Sequence, residues 1–195
     1  MADITKETFN RPKQLSKIGD KGHEDIFRAV GNALNAWENC ERSFAHIFSK
    51  LVHPNGSGFA AQRAYGEIIA TASRRQMIES AAKIFFRNFP NEAAESELKT
   101  LMEIYSTASG RRNDIAHGIA GGDHDGAGGV WSFLVPNTWG SKSRDMRLQV
   151  AYRYSSRQIE EYAQAFSDLG ARAFRLVENL SVIYRKAPEQ ARAPY

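Results

Sequence analysis

The sequence predicts an all-α protein, an antiparallel helical bundle with a β-hairpin inserted before its last helix. Two long segments, residues 24–52 and 156–185, carry apolar side chains at steps of three and four, the spacing that forms one buried stripe on an α-helix. A third segment with this spacing runs from about residue 91 to residue 118. Residues 146–154 alternate instead between apolar and polar side chains, which is the pattern of a strand with one solvated face.

Loop-forming residues separate the helices. The first long helix is followed by Pro-Asn-Gly-Ser-Gly at residues 54–58, which predicts a loop. The apolar pattern then changes phase at residues 73–76, where Ser-Arg-Arg-Gln has the form of a capping box. This change predicts either two helices or one kinked helix in this segment. Phe-Pro-Asn at residues 89–91 predicts a break before the next helix. Ser155 and Gln158 offer a similar cap at the start of the last helix.

The predicted hairpin occupies about residues 128–155. Residues 121–129 are rich in glycine, which predicts a loop. Residues 130–135 predict a strand, and we expect it to pair with residues 146–154 across a connection at residues 136–145.

The size and composition are those of one globular domain. We assign it residues 23–185 of the 195, with a flexible N-terminal segment at residues 1–22 and a flexible tail at residues 186–195. No apolar run reaches the ~18 residues of a membrane helix, and the N-terminus has no apolar signal region. Cys40 is the only cysteine, so no disulfide can form within the chain. We therefore expect a cytoplasmic protein with no membrane partner.

The net charge of +4 does not by itself indicate nucleic-acid binding. Residues 1–22 carry five basic and three acidic side chains, and residues 185–195 carry three and one. The remaining chain has 18 of each sign, so the surplus lies in the terminal segments.

The third helical segment ends in an unusual polar sequence. Arg112 is in phase with the apolar stripe, and a guanidinium at such a place must be paired or must face a polar cavity, because an unpaired buried charge is costly. Gly118 follows the helix and is placed to act as its C′ residue, which puts His117 at a helix C-terminus, where a protonated imidazole is favoured.

A second stripe runs beside the first and consists of Ser106, Gly110, Asn113 and His117. Its small residues allow another backbone to approach closely, and Asn113 can orient His117 because the two are i,i+4 neighbours. Arg112 and His117 are five positions apart, about 140° around an ideal helix. They can contact one substrate only if the Arg112 side chain extends around its helix or if two copies of the helix face each other. The sequence therefore predicts a homodimer across this stripe.

Arg112-Asn113-x-x-x-His117 resembles the R-x4-6-H motif of the HEPN superfamily of all-α domains, and residues 112–118 resemble the RN-x-x-AHG ending of small bacterial members. The resemblance implies a dimeric, metal-independent endoribonuclease that needs no cofactor and acts as a toxin or defence effector, with RNA and an antitoxin as partners. It also implies that His117 is the general acid or base, that Arg112 binds the phosphate and that Asn113 orients the imidazole. These roles suit the residue types, since RNA supplies its own nucleophile, the 2′-hydroxyl.

The same residues also allow a structural interpretation. Arg112 could pair with a buried glutamate such as Glu38, Glu41 or Glu67, and His117 could cap its helix. The chain would then be a non-catalytic dimerisation or protein-interaction module. The two hypotheses differ in whether Arg112 and His117 open to solvent or are sealed by carboxylates.

Several further arginines are candidates for contacting RNA, namely Arg74, Arg75, Arg111, Arg147 and Arg153. The last two belong to a basic cluster on the predicted hairpin, near aromatic side chains that could stack on bases. The full cluster is Lys142, Arg144, Arg147, Arg153 and Arg157, with Trp131 and Trp139 nearby. Surface ion pairs and a solvated strand face are the alternatives.

We predict no metal site. Asp123-His124-Asp125-Gly126 resembles the start of a calcium-binding loop, but the twelfth position, which requires glutamate, is Leu134. A transition-metal site made of His117, Asp123 and His124 is the alternative to a solvated glycine-rich loop.

Overall fold

The structure is a computed structural model of the 195-residue chain, and it describes residues 4–56, 58–124, 130–137 and 151–188. These residues form five α-helices, one 3-10 helix and one antiparallel hairpin of two strands that precedes the last helix. In chain order the elements are the 3-10 helix Lys6–Phe9, α1 His23–Val52, α2 Phe59–Gly66, α3 Thr71–Asn88, α4 Glu92–His117, β1 Gly118–His124, β2 Val130–Pro136 and α5 Ser156–Lys186.

The first and last α-helices of the chain confirm the two long helices predicted from apolar spacing. Helix α1 covers the predicted segment, and α5 starts at the predicted cap. There the Gln158 amide donates to Ser155 Oγ at 3.5 Å while the Ser155 amide donates to Gln158 Oε1 at 3.1 Å, which is the reciprocal pattern of a capping box.

The middle of the chain forms two helices rather than one kinked helix, and the break at residues 89–91 is confirmed. The capping box predicted at residues 73–76 is wrong, because α3 already begins at Thr71. The amides of Ser73 and Arg74 donate to the carbonyl of Ala70, each at 3.0 Å. Asn91 caps α4 by accepting the Ala94 amide at 2.9 Å.

The chain clusters into two compact units, and the assignment of one domain to residues 23–185 stays a prediction. The first unit takes its described residues from 38–106 and 168–195, and the second from 2–37 and 107–167. No helix in the described ranges is both long and apolar enough to cross a membrane.

In the first unit, α1 and α5 run parallel. A Cβ added to Gly170 would lie 3.0 Å from Cys40 Cα, and further along both helices the rings of His46 and Phe174 are 6.4 Å apart. The contacts advance in the same direction on the two helices, so the prediction of a wholly antiparallel bundle is wrong. Apolar spacing shows which face of a helix is buried, but it does not show the direction of the neighbouring helix.

In the second unit, β2 is hydrogen-bonded on both edges. Its pairing with β1 runs in register from Gly118 opposite Pro136 to His124 opposite Val130. On the other edge, Ser132 exchanges two backbone hydrogen bonds with Asp20, and Leu134 exchanges two with Tyr154, all between 2.8 and 3.0 Å. These contacts bury Ser132, Phe133 and Leu134.

The hairpin differs from its prediction. Strand β2 confirms the strand expected at residues 130–135, but its partner is β1, and the loop expected from residue 121 is strand as far as His124. Of the other predicted strand, residues 146–154, only 151–154 are among the described residues, and it meets β2 in an isolated antiparallel bridge between Tyr154 and Leu134. Glycine has no side chain that could carry an alternating pattern, so β1 gives no periodic signal.

The N-terminal segment, expected to be flexible, belongs to the second unit and packs within it in its described part. Phe9 is fully buried, and its ring stacks on Phe166 with centroids 5.5 Å apart. The hydroxyl of Tyr162 donates to the carbonyl of Asn10 at 3.0 Å.

Candidate functional site

Arg112 has no carboxylate partner among the residues that the structure describes. Its side chain is half-buried, and its guanidinium carbon lies 5.6 Å from the centre of the Trp37 ring, a cation–π arrangement. Arg112 Nε is buried without a hydrogen-bond partner. The rest of the guanidinium group therefore keeps its donors available at a partly solvated position.

The glutamates that could have paired with Arg112 are engaged elsewhere or exposed. Glu41 is buried and accepts hydrogen bonds from Tyr65 at 3.2 Å and Tyr105 at 2.8 Å, and Arg74 Nη1 lies 3.0 Å from its Oε2. Glu67 pairs with Arg63 at 3.3 Å, and Glu38 is exposed. The predicted structural pairing of Arg112 is absent from the described part of the chain.

Asn113 and His117 are both exposed on the face of α4 that also carries Ser106 and Gly110. Within the described residues, no hydrogen bond joins Asn113 to His117, so the expected orientation of the imidazole by the amide is not formed in this structure. A Cβ added to Gly110 would meet no atom within 4 Å. This face of α4 is therefore open.

His117 is the last residue of α4, as predicted, but Gly118 is not a left-handed C′ residue. Among the described glycines only Gly58 has a positive φ. Gly118 instead begins β1, and a Cβ there would lie 2.7 Å from Leu134 Cγ and 2.9 Å from the Asp114 carbonyl oxygen. The position requires glycine because β2 and α4 approach it closely.

Arg111, one position before Arg112, belongs to a buried network around Asp114. Its Nη1 donates to Asp114 Oδ2 and, at 2.9 Å, to the hydroxyl of Tyr154. Arg11 binds the same carboxylate through two atoms, with Nε at 2.9 Å and Nη2 at 2.7 Å. Tyr154 donates to Asp114 Oδ2 at 3.1 Å, and Tyr152 donates to the Asp114 carbonyl at 2.8 Å. We call these five residues the Asp114 network.

Electrostatics keep the tyrosines of this network neutral. Burial, with the Asp114 charge as the next contribution, raises the pKa of Tyr152 to about 12. Burial also raises the pKa of Tyr154, and the hydrogen bond to Asp114 raises that of Arg11. Both phenols are consequently hydrogen-bond donors at neutral pH.

The arginines predicted to contact RNA occupy different environments. In the first unit Arg74 donates to the Ile68 carbonyl at 2.6 Å, besides its ion pair with Glu41, and Arg75 pairs with Glu79 at 2.7 Å. In the second unit the Arg153 guanidinium lies 5.0 Å from the centre of the Phe133 ring.

The remaining members of the basic cluster are only partly described. Arg157 is exposed and pairs with Glu161 at 3.2 Å. Arg147, with Lys142, Arg144 and Trp139, lies outside the described residues. RNA binding by these side chains stays a prediction.

No group of three or more potential metal ligands occurs among the described residues. The side chains of Asp123 and His124, which the alternative metal site would use with His117, lie outside what the structure describes.

The Asp114 network is not among the features predicted from the sequence. Asp114 occupies an unassigned position of the motif, and Arg11 lies in a segment that we expected to be flexible. Two signals were present in the sequence: Arg111 and Asp114 stand three apart on the predicted helix, and Tyr152 and Tyr154 stand two apart on the predicted strand and so share one of its faces. Their rings stack at 4.7 Å.

Comparison of the chain with models of protein families, with curated proteins and with solved structures finds no match.

Proposed function

We propose that the protein is a metal-independent endoribonuclease of the HEPN type that cleaves RNA through its 2′-hydroxyl. The observation that supports this most is the contrast between two adjacent arginines. Arg111 is committed to Asp114 and Tyr154, whereas Arg112 is half-exposed and has no carboxylate partner in the described chain. A structural motif would pair the charge of Arg112, so an unpaired arginine in the same motif as an exposed histidine favours a phosphate ligand.

The proposed reaction uses His117 and Arg112 in different roles. His117 takes the proton of the 2′-hydroxyl, whose oxygen attacks phosphorus while the bond to the 5′-oxygen breaks and that oxygen takes a proton from water. Arg112 donates to the phosphate oxygens, where negative charge grows in the transition state. The products are a 2′,3′-cyclic phosphate and a 5′-hydroxyl. On substrate binding, Asn113 orients the imidazole from one turn away.

The site is completed by a second copy of the chain. One helix places Arg112 and His117 about 140° apart, so a single protomer presents them in different directions. The face bearing Ser106, Gly110, Asn113 and His117 is solvent-accessible, and Gly110 leaves space for a close approach. Two such faces in contact bring the His117 side chains of the two protomers together, and Arg112 reaches around its own helix to the shared site.

The test is incubation of the purified protein with mixed RNA in the presence of a chelator, followed by analysis of the product ends. We expect cyclic phosphate ends and unchanged activity without metal. His117→Ala should lower the rate by roughly 10²–10⁴, the usual contribution of an acid–base group. His53→Ala is the control, because His53 is also exposed and follows the end of α1.

Arg112→Lys should also lose most of the activity, since one ammonium cannot replace a forked guanidinium on phosphate. Arg28→Lys, at an exposed arginine of α1, should behave like the wild type. Cleavage that persists in both site variants would exclude the proposal.

A second candidate function is a non-catalytic interaction module, which the open face of α4 also favours. In that case purified wild-type protein cuts no RNA, and His117→Ala lowers the melting temperature or the affinity for a partner protein. A toxin or defence role adds one more expectation: expression of the wild type, but not of His117→Ala, arrests growth of the host cell unless an antitoxin is present.

A further inference from the structure

One face of α1 in the first unit carries a row of basic side chains. Arg42, His46 and Lys50 follow one another at intervals of four residues, so each lies about 6 Å further along the helix than the last. On α5, the ring of Phe174 meets the ring of His46 edge to face, at 6.4 Å and 87°. We call these four residues the α1 cationic surface.

The two permanent charges of this surface are accessible and unpaired. Arg42 is exposed and Lys50 is half-exposed. In the described part of the chain, neither forms an ion pair, and this includes the nearby exposed carboxylates of Glu38 and Glu178. Two other arginines of the first unit are neutralised, Arg74 by Glu41 and Arg172 by Glu97. The α1 cationic surface differs from them because no carboxylate of the described chain neutralises its charges.

His46 shows that the positive charges lie close together. Burial lowers the pKa of its imidazole, and the charges of Arg42 and Lys50 lower it further. The ring is thus neutral at pH 7 and acts as a polar spacer between the two cations.

Phe174 adds an aromatic face to the same surface. It is 47% exposed, and its edge-to-face contact with His46 leaves ring surface open to solvent. Exposed phenylalanine beside spaced cations suits a single-stranded nucleic acid, whose bases stack on aromatic rings while its phosphates track positive charge. An acidic protein segment would use the cations but would gain little from the ring.

We propose that the α1 cationic surface binds single-stranded nucleic acid, with phosphates two nucleotides apart on Arg42 and Lys50 and a base stacked on Phe174. This binding does not depend on the proposed cleavage chemistry, because it uses none of Arg112, Asn113 or His117. The protein would then have an RNA-binding surface made of other residues than the motif.

The probe is a fluorescent single-stranded DNA oligonucleotide, which lacks the 2′-hydroxyl and cannot be cleaved by the proposed reaction. Binding to the full-length protein is measured by anisotropy over a range of salt concentrations. The Arg42→Gln/Lys50→Gln double variant should weaken binding about tenfold and reduce the slope of log K against log salt by about 1.4, as expected for two lost phosphate contacts on a single strand. Phe174→Ala should weaken binding at least about fivefold without changing that slope.

The matched control is Lys83→Gln/Arg87→Gln, which removes the same charge from two exposed positions on α3. It should leave affinity and slope nearly unchanged. Equal weakening by both double variants, or an unaffected Phe174→Ala, would overturn the proposal in favour of diffuse electrostatic attraction. Failure of the oligonucleotide to bind while a poly-glutamate peptide binds would also overturn it, and would assign the surface to acidic proteins. Melting temperatures equal to that of the wild type show that the variants are folded.

Discussion

Asp114 joins two parts of the chain that are distant in sequence. It binds Arg11 through both carboxylate oxygens, although the residues are 103 positions apart, and it binds Arg111 within its own helix. Only 10% of its side chain is exposed, and 12% of the Arg111 side chain. Loss of one partner of such a pair leaves the other charge buried and uncompensated, which costs more than the loss of a surface pair.

Asp114→Asn should therefore lower the free energy of unfolding by about 3 kcal/mol, measured by urea denaturation. The matched control is Asp25→Asn. Asp25 also pairs with the arginine three positions later, but 47% of its side chain is exposed, so the loss should stay below about 1 kcal/mol. Equal effects of the two substitutions would show that burial does not strengthen the Asp114 network.

Strand β1 illustrates how an element can depend on its neighbours. Its sequence, Gly-Ile-Ala-Gly-Gly-Asp-His, has little intrinsic preference for a strand, yet it follows α4 directly and pairs with β2 along its whole length. Gly118 lies where the end of α4 meets β2, and Leu134 and the Asp114 carbonyl leave no room there for a side chain.

Gly118→Ala should destabilise the protein by about 1–3 kcal/mol, because the new methyl group forces β2 or the end of α4 to move. Gly121→Ala serves as the control in the same strand, since its Cβ would only touch Val135 Cγ2 at 3.5 Å. Its effect on the free energy of unfolding should be less than about 0.5 kcal/mol. A tolerated Gly118→Ala would mean that the close approach of β2 is not needed for folding.

At the scale of the whole molecule, the proposed dimer requires close contact between the open α4 faces of two protomers. Gly110 and Gly31 both lie inside long helices, and an added Cβ at either would meet no atom within 4 Å. A side chain at either position is therefore compatible with the isolated protomer, and it would add helix propensity. Only Gly110 lies on the predicted interface.

Gly110→Glu should convert the dimer to a monomer at micromolar concentration, measured by light scattering, and should abolish RNA cleavage with it. The reason is that two glutamates would be brought together in a closely packed contact. Gly31→Glu should remain dimeric and active. A wild-type protein that is monomeric at this concentration, or a dimer that survives Gly110→Glu, would place the interface elsewhere or exclude it.

The helices could be located from the sequence alone, because the signals that define them are local. The apolar spacing of α1 and α5, the break at residues 89–91 and the cap formed by Ser155 and Gln158 all act over one or two helical turns. The sequence also placed the motif at the end of α4. It could not give the direction of α1 relative to α5, since a helix has the same apolar spacing in either direction.

The tertiary structure decided part of what the buried charges bind. Arg111 and Asp114 are i,i+3 neighbours, so their ion pair follows from helical spacing, but the second partner, Arg11, is 103 positions away. The apolar spacing indicated Arg112 as the arginine that needs a partner or a polar cavity. In the structure, Asp114 pairs with Arg111 and Arg11. Arg112 meets the face of Trp37 instead. An ion pair forms where the fold brings opposite charges together, and β1 forms because β2 supplies its backbone hydrogen bonds. The Arg11–Asp114 pair and strand β1 both depend on residues distant in the chain, so no local pattern could encode them.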